Sequence, residues 1–277
     1  MNLYKIFLLK LILFIGQRTF LGRGIIRKKL VRFIEFIIFS KAHNNLTNYK
    51  FICKILGVPF YFIFDKILDY KVYFCRSDRK EIFFLIKNSS DNTIFFDIGA
   101  SMGIYTQFLA FNFNRIKNSK IIAVEPDPQN CERIRMNLDL LKFKIPNIHD
   151  LVKIEQCALS ERNSVLYLNK NLGPANGMII NSFIPGSIKV NIRTLSEVID
   201  ANKISHITNL KIDVEGYEDK ILLPFFKNSK RNLFPKHIII EHARKNLWKV
   251  NIVDYILSIG YKEIYRNKAN LIFYLRH

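Results

Sequence analysis

From residue 92 onward, short apolar runs alternate with stretches in which apolar positions recur at helical spacing, the pattern of a parallel sheet wrapped by helices. The strands this predicts are 93–97, 120–125, 151–158, 210–214 and 237–241. An insertion at 161–195 separates the third from the fourth. It carries two further candidate strands, 164–168 and 188–192, around the turn-rich loop Gly173-Pro174-Ala175-Asn176-Gly177. Two last apolar runs, 261–265 and 271–275, flank Asn267-Lys268-Ala269-Asn270 and predict a hairpin. The preceding lead-in, 46–91, contains a candidate strand at 71–75 and a candidate helix at 77–87 with Glu81 in its first turns. The polar stretch Asn88-Ser89-Ser90-Asp91 closes it, so the main domain is expected over 92–277.

Residues 1–45 follow another pattern. Ile26, Leu30, Phe33, Ile34, Ile37 and Ile38 recur at helical spacing with Arg27, Lys28 and Arg32 between them, which predicts a basic amphipathic helix. The longest uncharged apolar run near the start, Leu11 to Ile15, falls far short of the roughly 20 residues a membrane span needs. Gly16-Gln17-Arg18 offers no small-residue cleavage site for a secretory leader. Two uses of the helix stay open: packing its apolar stripe on the main domain, or lying on an anionic membrane surface through residues 1–40.

Composition changes this picture in one respect. A chain of 277 residues with 49% apolar residues can build a substantial core, which excludes a disulfide-stapled miniprotein and global disorder. The net charge of +20 invites a nucleic-acid reading, yet residues 1–50 alone hold ten Lys or Arg against Glu35. Nearly half of the excess therefore belongs to the N-terminal segment, which shows no recognised nucleic-acid motif, and nucleic acid is not expected as a partner. Cys53, Cys75, Cys131 and Cys157 lie far apart without zinc spacing. A reduced, cytoplasmic chain is the economical expectation, with the inner membrane face as the place where the helix would engage.

The strongest chemical signal is Phe95-Phe96-Asp97-Ile98-Gly99-Ala100-Ser101-Met102-Gly103-Ile104-Tyr105-Thr106. An apolar strand ends in an acid, passes a glycine turn and opens a helix, where glycines admit a ligand to the backbone and the helix start offers unpaired N–H groups. Twenty-two residues after Gly103, the next strand ends in Glu125-Pro126-Asp127, placing a carboxylate to accept ribose hydroxyls. A dinucleotide fingerprint needs a second glycine where this chain has Ser101. An acidic strand end also suits a cationic ligand better than a pyrophosphate, and S-adenosylmethionine carries an ammonium, a sulfonium and a ribose.

A second cluster is Leu210-Lys211-Ile212-Asp213-Val214-Glu215-Gly216-Tyr217-Glu218, and a third is the strand end Glu241-His242. In an open parallel sheet the ligand crevice lies beyond the carboxyl ends of the strands. Asp97, Glu125, Asp213, Glu215, Glu241 and His242 are therefore expected on one rim.

Together, FDIGASMGIYT, AVEPDPQN, LKIDVEGYE and the strand-terminal EH resemble the FkbM family of S-adenosylmethionine-dependent methyltransferases, over roughly residues 92–245. The resemblance implies an α/β fold of the class I methyltransferase, Rossmann-like type. Its mostly parallel seven-stranded sheet would end in the antiparallel C-terminal hairpin and carry a helical N-terminal extension. It also implies O-methyl transfer to a hydroxyl of a sugar, in a glycan, glycolipid or related metabolite. By position, the cofactor residues would be Asp97, Gly99, Ala100, Ser101, Gly103, Tyr105 and Thr106 of the turn, Glu125 and Pro126 of the next strand end, and Ala158 beside the adenine. Ser101 stands where Asn is common in that turn. Asp213 and Glu215 match the acidic block over the reaction centre.

A sugar hydroxyl is a poor nucleophile until its proton is removed, so positioning and a general base carry most of the rate. His242 and Asp213 are the candidate bases, with Glu215 beside them. Alternatively, Asp213, Glu215 and Glu241 or His242 hold a divalent ion such as Mg²⁺ that acidifies the acceptor hydroxyl. An NAD(P)-dependent oxidoreductase and a non-catalytic membrane-surface protein are the competing readings. Deleting residues 1–40 is expected to abolish association with anionic liposomes while sparing cofactor binding. Full-length protein that ignores such liposomes at low salt would assign the helix to packing.

Overall fold

A computed structural model of the chain describes residues 50–63, 78–169, 178–180 and 182–276. The amphipathic segment at 26–38, the strand expected at 71–75 and the loop at 173–177 lie outside the described residues. The chain divides into two compact units between Arg79 and Lys80.

In the first unit, β1 (Lys50–Ile55) and β2 (Val58–Ile63) pair antiparallel, with Ile55 opposite Val58. The two-residue turn between them, Leu56-Gly57, has φ of 50° and 85°. Two successive positive φ values match the right-handed twist of the flanking strands. Leu at the first of these positions is why the hairpin is hard to read from the sequence, where Asn or Asp would have announced it.

The second unit opens with α1 (Arg79–Lys87) and then β3 (Ile94–Ile98), α2 (Ile104–Phe113), β4 (Lys120–Val124) and α3 (Pro128–Asp139). A short α4 (Ile148–Leu151) leads into β5 (Val152–Glu155). The insertion contributes β6 (Ala158–Leu159), β7 (Ser164–Asn169), β8 (Met178–Ile180) and β9 (Ser187–Arg193). There follow α5 (Leu195–Ala201), β10 (Asn209–Ile212), α6 (Glu218–Asn228), β11 (His237–Glu241), α7 (Ile252–Ser258), β12 (Tyr261–Arg266) and β13 (Asn270–Leu275). Seven strands form the main sheet in the order β12-β13-β11-β10-β3-β4-β5. β11, β10, β3, β4 and β5 run parallel, and β13 and β12 add on antiparallel. A second sheet has the order β6-β9-β7-β8.

The expected strand at 151–158 is thus two elements in two sheets. β5 ends at Glu155, and after Gln156 and Cys157 the chain re-enters as β6, paired parallel with β9. A continuous apolar run does not reveal which partner each half will find; pairing decided that.

Period-two alternation gives the central strands two different faces. Phe96 and Ile98 of β3, Leu210 and Ile212 of β10, and Ile238 and Ile240 of β11 belong to one buried cluster with Val198 of α5, Leu222 and Phe225 of α6 and Ile256 of α7. Each such side chain contributes about 1.5–3 kcal/mol by leaving water. The opposite face carries polar groups in register: Lys211 opposite Asp97, and Asn209 opposite His237. β10 is the strand where this is clearest, because Asn209 and Lys211 alternate with Leu210 and Ile212.

At the amino end of this polar face, His237 is buried, with Nδ1 2.8 Å from Asn209 Oδ1. Its ring stacks on Tyr274 and meets the edge of Phe84. Burial, reinforced by neighbouring Lys236, pushes its pKa down to about 4. A histidine held neutral contributes stability that is complete above its ordinary pKa near 6.5 and is lost as pH falls toward 4. The unfolding free energy of the native chain minus that of His237→Gln is expected to shrink by on the order of 1–3 kcal/mol between pH 7.5 and 4.5. Urea titrations at the two pH values measure it, and a constant difference would refute it.

Candidate functional site

Asp97 lies in β3, one residue before its carboxyl end, with no exposed surface. Its Oδ2 accepts the backbone N–H of Thr106 at 3.1 Å and the Thr106 hydroxyl at 2.7 Å. Thr106 is the third residue of α2, so the carboxylate serves one of the N–H groups that a helix start leaves without an internal partner. Oδ1 faces the Lys211 ammonium at 3.4 Å and has no hydrogen-bond partner among the described residues. Lys211 Nζ also donates to the carbonyl of Gly99 at 2.8 Å, lies 4.0 Å from Asp213 Oδ2 and sits over the ring of Tyr105. One buried cation therefore joins β3, the glycine turn and the end of β10.

The glycines of the turn serve the chain itself. Gly99 has φ 71°, and a Cβ there would stand 1.9 Å from the carbonyl oxygen of Asp213. Gly103 has φ 81°, and its Cβ would meet Ile134 of α3 at 2.8 Å. Both are glycine because backbone and helix approach them closely, whereas the sequence pattern suggested room for a ligand. Ala100 is held by its N–H to Val124 O at 3.0 Å, and its own carbonyl accepts from Gly103 N.

Ser101 takes φ 51°, unusual without a glycine, and its N–H donates to Glu125 Oε2 at 2.8 Å. Glu125 Oε1 accepts from Asp127 N at 3.0 Å and Asn130 Nδ2 at 3.1 Å. Burial pushes the Glu125 pKa up, against these hydrogen bonds. Asp127 in turn caps α3 by accepting from Gln129 N, with Pro128 in the first turn. Pro126 lies between these two acids, and Ala158 is buried in β6, opposite Ile192.

Beyond β10 the chain turns at Glu215, with φ 57°, and Gly216, with φ 99°. Two side chains at positive φ, Ser101 and Glu215, thus sit after adjacent strands, where strain accompanies functional turns. Buried Glu218 latches the second turn: Oε1 accepts from Val214 N at 3.0 Å and Gly216 N at 3.3 Å, and Oε2 from Trp248 Nε1 at 2.6 Å. Asp219 Oδ2 accepts from Lys249 N and Val250 N. These bonds fasten the segment after β11 to the start of α6. Glu215 pairs with Arg244 at 2.5 Å. Burial and the charge of Asp213 nonetheless hold the Glu215 pKa above its ordinary value.

Glu241 and His242 diverge. The His242 ring places Nε2 3.1 Å from the Asn267 carbonyl in the β12–β13 turn, and its N–H donates to Ala269 O. Glu241 feels the charges of Asp213, Glu218 and Glu215. Among the described residues, no three His, Cys, Asp or Glu side chains are gathered as a metal-ligand set, so Asp213, Glu215 and Glu241 or His242 are not assembled as one. Among the described residues, no helix is long and apolar enough to cross a membrane.

The sequence reading assigned no role to Lys211, Asn130, Trp248 or Arg244. The alternation N-L-K-I-D could have flagged Lys211 as sharing a face with Asp213; nothing local marks the other three.

Two features test whether S-adenosylmethionine fits. Oε2 of Glu125 holds one donor and keeps a second lone pair for a ribose hydroxyl. The buried, unbonded Oδ1 of Asp97 adds an acceptor beneath the turn. Both suit a hydroxyl-rich, cationic group.

A doubly wound parallel sheet with antiparallel C-terminal strands and an acidic crevice at its carboxyl ends is the Rossmann-like fold of class I methyltransferases. Residues 97–263, more than half of the chain, match the Methyltransferase FkbM domain, and the chain belongs to that family. Among solved structures it is similar to the methyltransferase FkbM from Methylobacillus flagellatus KT, with 18% identity over 68% of this chain and 44% of that one and a TM-score of 0.45. It thus spans under half the length of that relative. A methyltransferase from Geobacter sulfurreducens matches at 14% identity over 73% of this chain and 79% of that one, with a TM-score of 0.41. A SAM dependent methyltransferase from Aquifex aeolicus matches at 13% over 71% and 91%, with a TM-score of 0.38. No curated protein matches the chain.

Gly99→Ala is expected to cost about 3 kcal/mol or more, because it combines an unfavourable φ with a backbone collision. Gly57→Ala, with φ 85° and nothing within 4 Å of the new Cβ, is the control, at about 1–2 kcal/mol. Chemical denaturation of both variants distinguishes collision from φ strain; equal losses would count against the close approach.

Proposed function

We propose that the chain is an S-adenosylmethionine-dependent O-methyltransferase whose acceptor is a hydroxyl of a sugar, in a glycan, glycolipid or related metabolite. The observation that carries this reading is Glu125, one strand over from Asp97, with its carboxylate bonded to the N–H of Ser101. In a dinucleotide site that backbone position meets a pyrophosphate. Here a carboxylate already occupies the amide and repels a second anion, which favours a cofactor without phosphates over NAD(P). Family membership supports the same choice.

When bound, the cofactor supplies a methyl group activated on a sulfonium. The chain's own part is to orient and to move a proton. Glu125 accepts ribose hydroxyls, Asp97 and Lys211 keep the turn in shape, and the rim of Asp213 and Glu215 faces the positive centre and the incoming hydroxyl. The sugar assignment rests on the family resemblance and on this need for an acid-base rim. The basic N-terminal segment adds the proposal of an anionic membrane or glycolipid surface as the place of action.

Calorimetric titration of the full chain with S-adenosylmethionine and with NAD tests the cofactor. Binding of the former alone is expected, and Glu125→Ala should weaken it at least about tenfold, as loss of a charged acceptor does. Binding of NAD alone would overturn the reading, and failure to bind any adenosyl ligand would favour the non-catalytic alternative. Transfer of radiolabelled methyl from S-adenosylmethionine into surface glycans extracted from cells lacking the gene tests the acceptor class.

A further inference from the structure

Glu241 ends β11 beside the carboxyl end of β10. Ile240 is in register with Ile212, so Glu241 and Asp213 are the next step on two parallel neighbours and share the face that carries Lys211 and Asp97. On its other side Glu241 pairs with Asn270 of β13, whose amide is held by Glu81 of α1. The carboxylate accepts the N–H of Ala243, and its Oε2 is hidden from water with no hydrogen-bond partner among the described residues. Neither cation of this rim neutralises it: Lys211 is engaged by Asp97 and Asp213, and Arg244 by Glu215. His242 adjoins it in the chain, but its ring is bonded to the Asn267 carbonyl.

We propose that Glu241, rather than His242 or Asp213, is the base that takes the proton from the acceptor hydroxyl. This rests on the methyl-transfer reading above. The acceptor O–H bond breaks as its oxygen bonds the methyl carbon, the S–CH₃ bond breaks with its electron pair left on sulfur, and the proton passes to Oε2 of Glu241 and then to solvent. An oxygen that lacks a donor is a place for an incoming hydroxyl to bond.

The surroundings also tune it for the task. Burial first, then the charges of Asp213, Glu218 and Glu215, push the Glu241 pKa up to about 7. A base whose pKa matches the working pH gains proton affinity without being fully protonated. The sign follows: the carboxylate forms as pH rises through about 7, so the transfer rate rises through the same value. Removing the Asp213 charge should move that midpoint to lower pH.

The test uses the full chain and two readouts. Calorimetry with S-adenosylmethionine at pH 7, in buffers of different ionisation enthalpy, measures protons released when the cation binds beside Glu241. Transfer of labelled methyl into the glycan extract, followed from pH 5 to 9, measures the base. Glu241→Gln keeps the shape and removes a desolvated charge, so it should fold. It is expected to bind S-adenosylmethionine within about threefold of the native chain and to release fewer protons. Its transfer rate is expected to fall by about 100-fold or more, with the midpoint near pH 7 abolished. Glu241→Asp should restore part of the rate and Asp213→Asn should shift the midpoint down. A Glu241→Gln chain that transfers methyl within about threefold of the native rate, with the midpoint intact, overturns the proposal while leaving the function standing. A native chain that transfers no label overturns both.

Discussion

The ion pair between Asp97 and Lys211 sits where the two central strands of the sheet meet, and the rest of the site is built on it. Neither group could be buried alone: an unpaired charge in such a place costs several kcal/mol. Paired, they tie four pieces of chain together. Asp97 bonds the first turn of α2 through Thr106, and Lys211 bonds the Gly99 carbonyl and reaches toward Asp213. The glycine turn, the helix start and the end of β10 therefore form one rigid block. The 1.9 Å available to a side chain at Gly99 is a direct result of how tightly that block closes.

This arrangement depends on the central strands having unlike faces. One face of β3, β10 and β11 is wholly apolar and packs on α5, α6 and α7, which supplies the stability. The other face carries Asp97, Lys211 and Asn209 with His237, each satisfied by its neighbour on the next strand. Polar groups can occupy a sheet interior in this way only because parallel pairing puts them opposite partners of complementary chemistry. Beyond the carboxyl ends the pairing stops and compensation becomes uneven. Glu218 is bonded by three N–H groups, Glu215 by Arg244, and Glu241 by one amide alone. The gradient from satisfied to unsatisfied carboxylates runs from structural to reactive.

Much of this was legible in the chain. Period-two alternation located β3, β4, β10 and β11 to within a residue or two, because the side-chain period of a strand is a local property. The acid before Gly99 and Glu125 at the end of the next strand marked the crevice, since turn chemistry and strand ends are also local. The β1–β2 hairpin was missed because Leu56 occupies a left-handed turn position without the usual residue. The stretch 151–158 was taken as one strand because two strands in different sheets look alike when only apolar content is read.

By itself, then, the sequence determined the doubly wound order of elements, the family resemblance and the set of acids that reach the rim. Only the tertiary structure decided what each acid does. Glu125 and Glu241 are both glutamates at strand ends, yet one is clamped by Ser101, Asp127 and Asn130 and the other is left with a bare oxygen among three carboxylates. His242, prominent as a residue type, is held by a carbonyl that β-hairpin closure brings to it. The reason is that burial, hydrogen bonding and the field of neighbouring charges are set by residues distant in the chain, and these three quantities fix a carboxylate's proton affinity.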